Sequence, residues 1–203
     1  MMRVPSRVSG KLHVSGIVAA LLLLFCMGFP PLASGADDAK KKETARADIQ
    51  KMEKETLARL YKAQPQAKAS VEKAAGYAVF SNFGMKILVA GGGSGKGVAV
   101  NNATKKKAYM KMIEVQAGLG IGVKKFRLVW VFENQKDLDA FINSGWELGG
   151  QTSAAAQASG KGAAMAGAMS IAPGVWLYQL TDDGLALELT AKGTKYYKDS
   201  DLN

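Results

Sequence analysis

The stretch AGGGSGKG, Ala90 to Gly97, comes nearer to a known piece of chemistry than any other run in the chain. A phosphate-cradling loop needs a leading glycine, then Gly-Lys followed by a Ser or Thr whose hydroxyl holds magnesium. Here Ala90 replaces the leading glycine and Gly97 replaces the hydroxyl residue. Such a loop also opens a helix, whereas the following VAVNNATKKK reads as strand and turn. The expectation is therefore a glycine-rich hairpin with closely approaching backbones, in which Lys96 has no nucleotide to hold. Gly118-x-Gly120-x-Gly122 is a weak dinucleotide-like pattern inside a β-like run.

Paired carboxylates could support hydrolysis without histidine. Asp182/Asp183 reads as a turn and Asp137/Asp139 as the start of a helix. Glu114 and Glu188 lie in alternating runs and are expected to face water. The single cysteine, Cys26, and the single histidine, His13, both fall in the first 36 residues. The rest of the chain cannot form a disulfide, a Cys/His zinc site or a histidine-based nucleophile pair. No catalytic residue, no metal and no cofactor is assigned, and no enzyme activity is expected.

The residues left for function are cations. Lys40-Lys41-Lys42, Lys105-Lys106-Lys107 and Lys124-Lys125 with Arg127 form three clusters. The last two sit at strand turns, and turns sharing one end of a sheet would make a cationic rim. The formal net charge of +10 falls to +7 when Arg3, Arg7 and Lys11 leave with the leader described next. In an exported protein this favours anionic lipid or a polyanionic envelope polymer over nucleic acid.

Residues 1–36 have the order of a secretory signal. Arg3, Arg7 and Lys11 precede the apolar run Ile17–Met27; Pro30 and Pro31 break it, and Ser34-Gly35-Ala36 supplies small residues for cleavage. The run is far short of the ~20 residues of a spanning helix. Phe25 before Cys26 argues against lipid attachment at that cysteine. The expectation is an exported protein, periplasmic or secreted, whose residues 37–203 form one domain.

The elements that must position the cations follow. Over residues 37–63 a helix is predicted: Ala45, Ile49, Met52, Thr56, Leu57, Leu60 and Tyr61 recur at three- and four-residue spacing. Lys51, Lys54 and Lys62 fall opposite this stripe, Arg46 and Arg59 flank it, and Glu53 intrudes on it. Pro65 ends the helix. Gln66–Ala75 reads as a short second helix closed by Gly76. From Tyr77 the period becomes two, through YAVFS, MKILVAG, KGVAVN, KAYMKMIEVQAGLGIGV and FRLVWVFE. Asn134 then caps a helix bearing Leu138, Phe141 and Ile142, which Gly145 ends. Composition leaves 151–172 open between helix and loop. VWLYQL and LALELT flank a hairpin at Asp182-Asp183-Gly184. Trp130, Trp146 and Trp176 read as core. The fold class is α+β: N-terminal helices, then an antiparallel, barrel-like or sandwich-like sheet with one inserted helix.

AAGYAVFSNFG (74–84), AGGGSGKGVAV (90–100), VFENQKDLDAFINSGWELGG (131–150) and the following TSAAAQASG occur in the order of the SYLF-domain family, which the chain resembles from about Leu57 onward. VWLYQLTDDGLALELTAKG follows the family's closing segment only loosely. The resemblance implies binding rather than catalysis. Eukaryotic relatives recognise phosphoinositides with help from a basic amphipathic helix, and fungal members bind actin. For an exported chain it implies an anionic phospholipid such as phosphatidylglycerol or cardiolipin, with Arg46, Lys51, Lys54, Arg59 and Lys62 as head-group residues. The basic turns Lys105, Lys106, Lys107, Lys124, Lys125 and Arg127 would assist, and Ile49, Met52, Leu57 and Leu60 would face the membrane. The alternative is an envelope structural or protein-interaction module whose N-terminal helix packs on its own sheet.

Overall fold

The computed structural model describes residues 34–87, 90–117, 122–149, 165–182, 184–186 and 193–203. The chain divides into two units, Met1–Asp38 and Ala39–Asn203. Residues 1–33 of the predicted leader, Gly118 and Gly120, Asp183, Glu188 and most of 151–172 lie outside the described residues.

Helices α1 (Ser34–Ala63) and α2 (Gln66–Lys73) precede strands β1 (Gly76–Ile87), β2 (Ala90–Asn101), β3 (Lys107–Ala117) and β4 (Gly122–Phe132). After α3 (Gln135–Asn143) come β5 (Trp146–Leu148), β6 (Met169–Ala172), β7 (Val175–Thr181), β8 (Gly184–Ala186) and β9 (Thr194–Lys198). All pairings are antiparallel, in the order β5-β9-β3-β2-β1-β4-β7-β6, with β8 also on β7. YAVFS and MKI are one strand, and KAYMKMIEVQAGLGIGV divides into β3 and the start of β4.

The two-residue alternation gives the sheet two apolar faces. On the concave face Phe80, Met110, Leu128, Trp130 and Tyr196 pack with Leu138 and Phe141 of α3, Leu148 of β5 and Leu177 of β7. Strands from both ends of the sheet share this core, so the sheet curls into a half-barrel around α3. On the outer face Val79, Val129, Val131, Tyr178 and Leu180 meet Leu60, Ala67 and Val71 of the first two helices. Farther along α1, Ile49 packs with Val98, Val100, Tyr109 and Leu202.

Local chemistry explains the element ends. Asn134 accepts the Asp137 backbone N–H at 3.0 Å and starts α3, and Gly145, at φ +76°, follows its last turn. Gly76 opens β1 instead of closing α2, because the backbone is already extended at Ala74 (φ −64°, ψ 161°); a Cβ at position 76 would overlap the Val100 carbonyl and the Leu138 side chain. The run Ala90–Gly97 lies within the central strand β2 and opens no helix, so the phosphate-loop geometry is absent.

Candidate functional site

The stripe of α1 faces the sheet, which corrects its predicted membrane-facing placement. Ile49 and Leu60 are buried, and Met52 and Leu57 are half-buried against the same clusters. The cause is that Val98, Val100, Val129 and Val131 present a complementary apolar surface that α1 and α2 cover.

Several cations predicted for a head group are engaged within the fold. Arg46 Nε donates to the Leu202 carbonyl at 2.8 Å, and its guanidinium lies 5.8 Å from the Tyr109 ring centroid. Lys107 Nζ donates to Glu53 Oε2 at 2.7 Å, and Tyr77 OH donates to Glu53 Oε1 at 2.8 Å. This accounts for the acid that interrupts the stripe: Glu53 is buried with two partners. Burial, then the Glu72 and Glu53 charges, pushes the Tyr61 phenol up to about 12. Burial, the hydrogen bond to Glu53 and its charge also raise that of Tyr77. Lys51, Lys54 and Lys62 are exposed on the outer side of α1, as are Lys105 and Lys106 at the β2–β3 turn.

The two basic turns do not share an end of the sheet. Lys107 is registered with Val100 near the start of β1, whereas Lys124 is registered with Gly84. Val100 is in turn the partner of Tyr77, and the offset from Tyr77 to Gly84 along β1 corresponds to roughly 23 Å of strand. No single cationic rim forms from them.

The structure instead joins one turn to the end of α1. Arg59, Lys125 and Arg127 line a cleft of about 290 Å³ with Ser81, Phe83 and Asp182. Arg59 Nη2 donates to the Thr181 carbonyl at 2.9 Å and lies 3.9 Å from exposed Asp182. Arg127 Nη1 donates to Thr56 Oγ1 at 3.0 Å, with Glu55 at 3.6 Å. Lys125 Nζ stands 5.9 Å from the Phe83 ring centroid. A shallower groove of about 560 Å³ continues past Ser81 and Phe83 to Lys96, Lys111, Ile113 and Tyr197. Lys111 is held by Asp199 at 2.9 Å and Asp201 at 3.0 Å; these hydrogen bonds raise the Lys111 pKa, and the bond from Lys111 lowers that of Asp201.

Register explains this surface. Arg127, Ser81, Lys96, Lys111 and Tyr197 form one row across β4, β1, β2, β3 and β9. Lys125, Phe83, Ser94, Ile113 and Lys195 form the next. Phe83, Ile113 and Val115 are 50, 46 and 64% exposed and make an apolar patch beside the basic row. Sequence reasoning missed Phe83, Lys96, Ile113 and Val115 as a group; their alternation was visible, but not the side of the sheet left open. Trp130 is buried core, whereas Trp176 is half-buried and donates to Glu133 Oε1 at 2.9 Å.

Residues 113–203 match the family model Ysc84, described as Las17-binding protein actin regulator. That model is of the SYLF-domain family, to which this part of the chain is similar. It is also 38% identical over 163 residues, 80% of its length, to beta cell expansion factor A of Aeromonas veronii. The chain spans 60% of that relative's length. SYLF domains are linked to lipid and actin-related binding and are in general binding domains. Among the described residues no helix is long and apolar enough to cross a membrane.

Proposed function

We propose that this chain is a non-catalytic module that binds anionic phospholipid at a membrane surface through the open part of its outer sheet face. The supporting observation is the exposed patch of Phe83, Ile113 and Val115 beside Lys96, Lys125, Arg127 and Arg59. Apolar side chains of this kind enter the interfacial region, while each nearby cation contributes roughly 1 kcal/mol at an anionic surface. The exposed Arg59–Asp182 contact is weak enough to exchange for phosphate oxygen. Lys51, Lys54 and Lys62 add long-range attraction from the back of α1. The SYLF match over 113–203 agrees with a binding role.

Co-sedimentation with phosphatidylglycerol and phosphatidylcholine vesicles over a salt series tests this. Binding should require the anionic lipid and fade as the Debye length shrinks. Phe83→Ser with Lys96→Gln and Lys125→Gln should remove most of it, and unchanged binding by that folded variant would overturn the site. A protein-docking role for the same face is a second reading, favoured by the family's description as Las17-binding; absence of binding to any vesicle would select it. We further propose that the protein is exported and that residues 1–36 are removed. An intact mass beginning at Asp37 is expected, and a mass retaining Cys26 with acyl chains would refute this.

A further inference from the structure

The open part of the outer face is graded along the strands. Next to the covered row of Val129, Val79, Val98 and Tyr109 stands the polar row Arg127, Ser81, Lys96 and Lys111. Lys125, Phe83, Ser94 and Ile113 follow, and then Val123, Met85, Gly92 and Val115. The last row holds no polar or charged residue type. Each row lies two residues, or about 7 Å, farther along the strands, so the Val115 row is roughly 14 Å beyond the Lys96 row. Between Phe83 and Gly92 the only charged residue is Lys86, and between Ile113 and Val123 it is Glu114. Both fall on the opposite parity, Lys86 registered with Gly91 and Glu114 with Gly93. The outer face at this end is therefore apolar in residue type.

Helix α1 lies across the same face and limits how a surface can reach it. Arg46 of α1 meets Tyr109 of β3, Thr56 meets Arg127 of β4, and Arg59 meets Thr181 of β7. The helix thus crosses the strands beside the polar row. A helix with its side chains is about 10 Å across, so α1 stands well above the sheet there. A flat bilayer brought broadside onto the outer face would rest on α1 before it reached Phe83 or Val115. Those exposed residues meet such a surface when the sheet tips. The strand ends at Ile87, Ala90, Ala117 and Gly122 then lead. In that pose Lys96, Lys125 and Arg127 stand at the level of the lipid phosphates, and α1 remains in water behind them.

We propose that the protein docks end-on to an anionic bilayer, with the Val115 row among the acyl chains and the Lys96–Arg127 row at the phosphates. This rests on the reading of the open face as a lipid site and adds the acyl chains as a second point of contact. With the strands at about 45° to the membrane, the Val115 row lies roughly 10 Å below the phosphates, past a head-group layer of about 6 Å. Val115→Cys, Ser94→Cys and Ala103→Cys should each be made in protein carrying Cys26→Ala, which removes the one native cysteine. Each is labelled with an environment-sensitive fluorophore and added to phosphatidylglycerol vesicles bearing a nitroxide on the head group or deep on the acyl chain. On binding, the Val115 label should shift to the blue and lose most emission to the acyl-chain nitroxide. The Ser94 label should lose most to the head-group nitroxide, and the Ala103 label, exposed in the β2–β3 turn, to neither. Bound protein whose Val115 label stays in water, or whose Ser94 and Ala103 labels are quenched equally, overturns the end-on pose and leaves lipid binding standing. If the Val115 label itself blocks sedimentation, the Ser94 and Ala103 labels decide by the same criterion. Failure of the unmodified protein to sediment with any vesicle overturns both readings.

Discussion

The outer face of the sheet has two parts built from the same strands and treated oppositely. Under α1 and α2, Val79, Val98, Val129 and Val131 are fully buried, and Lys107 and Arg127 are tied to helix residues. A few residues along, on β1 and β3, Phe83, Ile113 and Val115 stand exposed beside Lys96 and Lys125. The alternation that sends Val79 outward sends Phe83 outward too. The difference is coverage, so an apolar residue on this face contributes to stability in one part and remains available for contact in the other.

The largest effect should come from breaking the covered part. Leu60→Ala should cost about 2–5 kcal/mol in urea denaturation, the range for a truncated core leucine, and Leu60→Asp should prevent folding. A cost below ~1 kcal/mol would mean that α1 is not a core element. Next is the buried acid between helix and sheet. Lys107→Met leaves Glu53 with Tyr77 alone, and losing a partner of a buried charged group should cost about 1–3 kcal/mol. Restored stability in the Lys107→Met, Glu53→Gln double variant would tie that loss to the pair.

A smaller effect concerns alkaline pH. Tyr61 releases its proton at about 12 in the folded chain against 10.0 unfolded. The folded state therefore holds more protons between these values, and stability falls as pH rises through that window. Tyr77 adds to the same trend. Thermal midpoints from pH 9 to about 12 should show the decline, and Tyr61→Phe should flatten it. The smallest stability change belongs to the open part: Phe83→Ser and Val115→Ser should each stay within about 0.5 kcal/mol of the parent. A cost like that of Leu60→Ala would show these residues to be core and remove the basis of the proposed surface.

Much of the local structure was legible because it rests on short-range chemistry. The three- and four-residue stripe made α1, Asn134 capped α3, and two-residue alternation from Tyr77 made an antiparallel sheet. The site was less legible. Arg59, Lys125 and Arg127 were each singled out as cations, but 66 residues or more separate Arg59 from the other two, and only folding brings them to one cleft. Glu114 was expected to face water because an acid in an alternating run usually does; it is buried against Asn82.

Residue type and period alone determined several features: which residues alternate, where the helices begin and break, and that no thiol or imidazole lies beyond residue 36. These follow from covalent geometry and from hydrogen bonding between near neighbours. Only the tertiary structure decided which stretch of the outer face α1 covers, and that β9 enters between β5 and β3. It also decided that the two basic turns stand at opposite ends and that Asn82 meets Glu114 across β2. Periodicity assigns a residue to a face but does not name the element opposite it; that depends on long-range register and on which apolar surfaces remove each other from water.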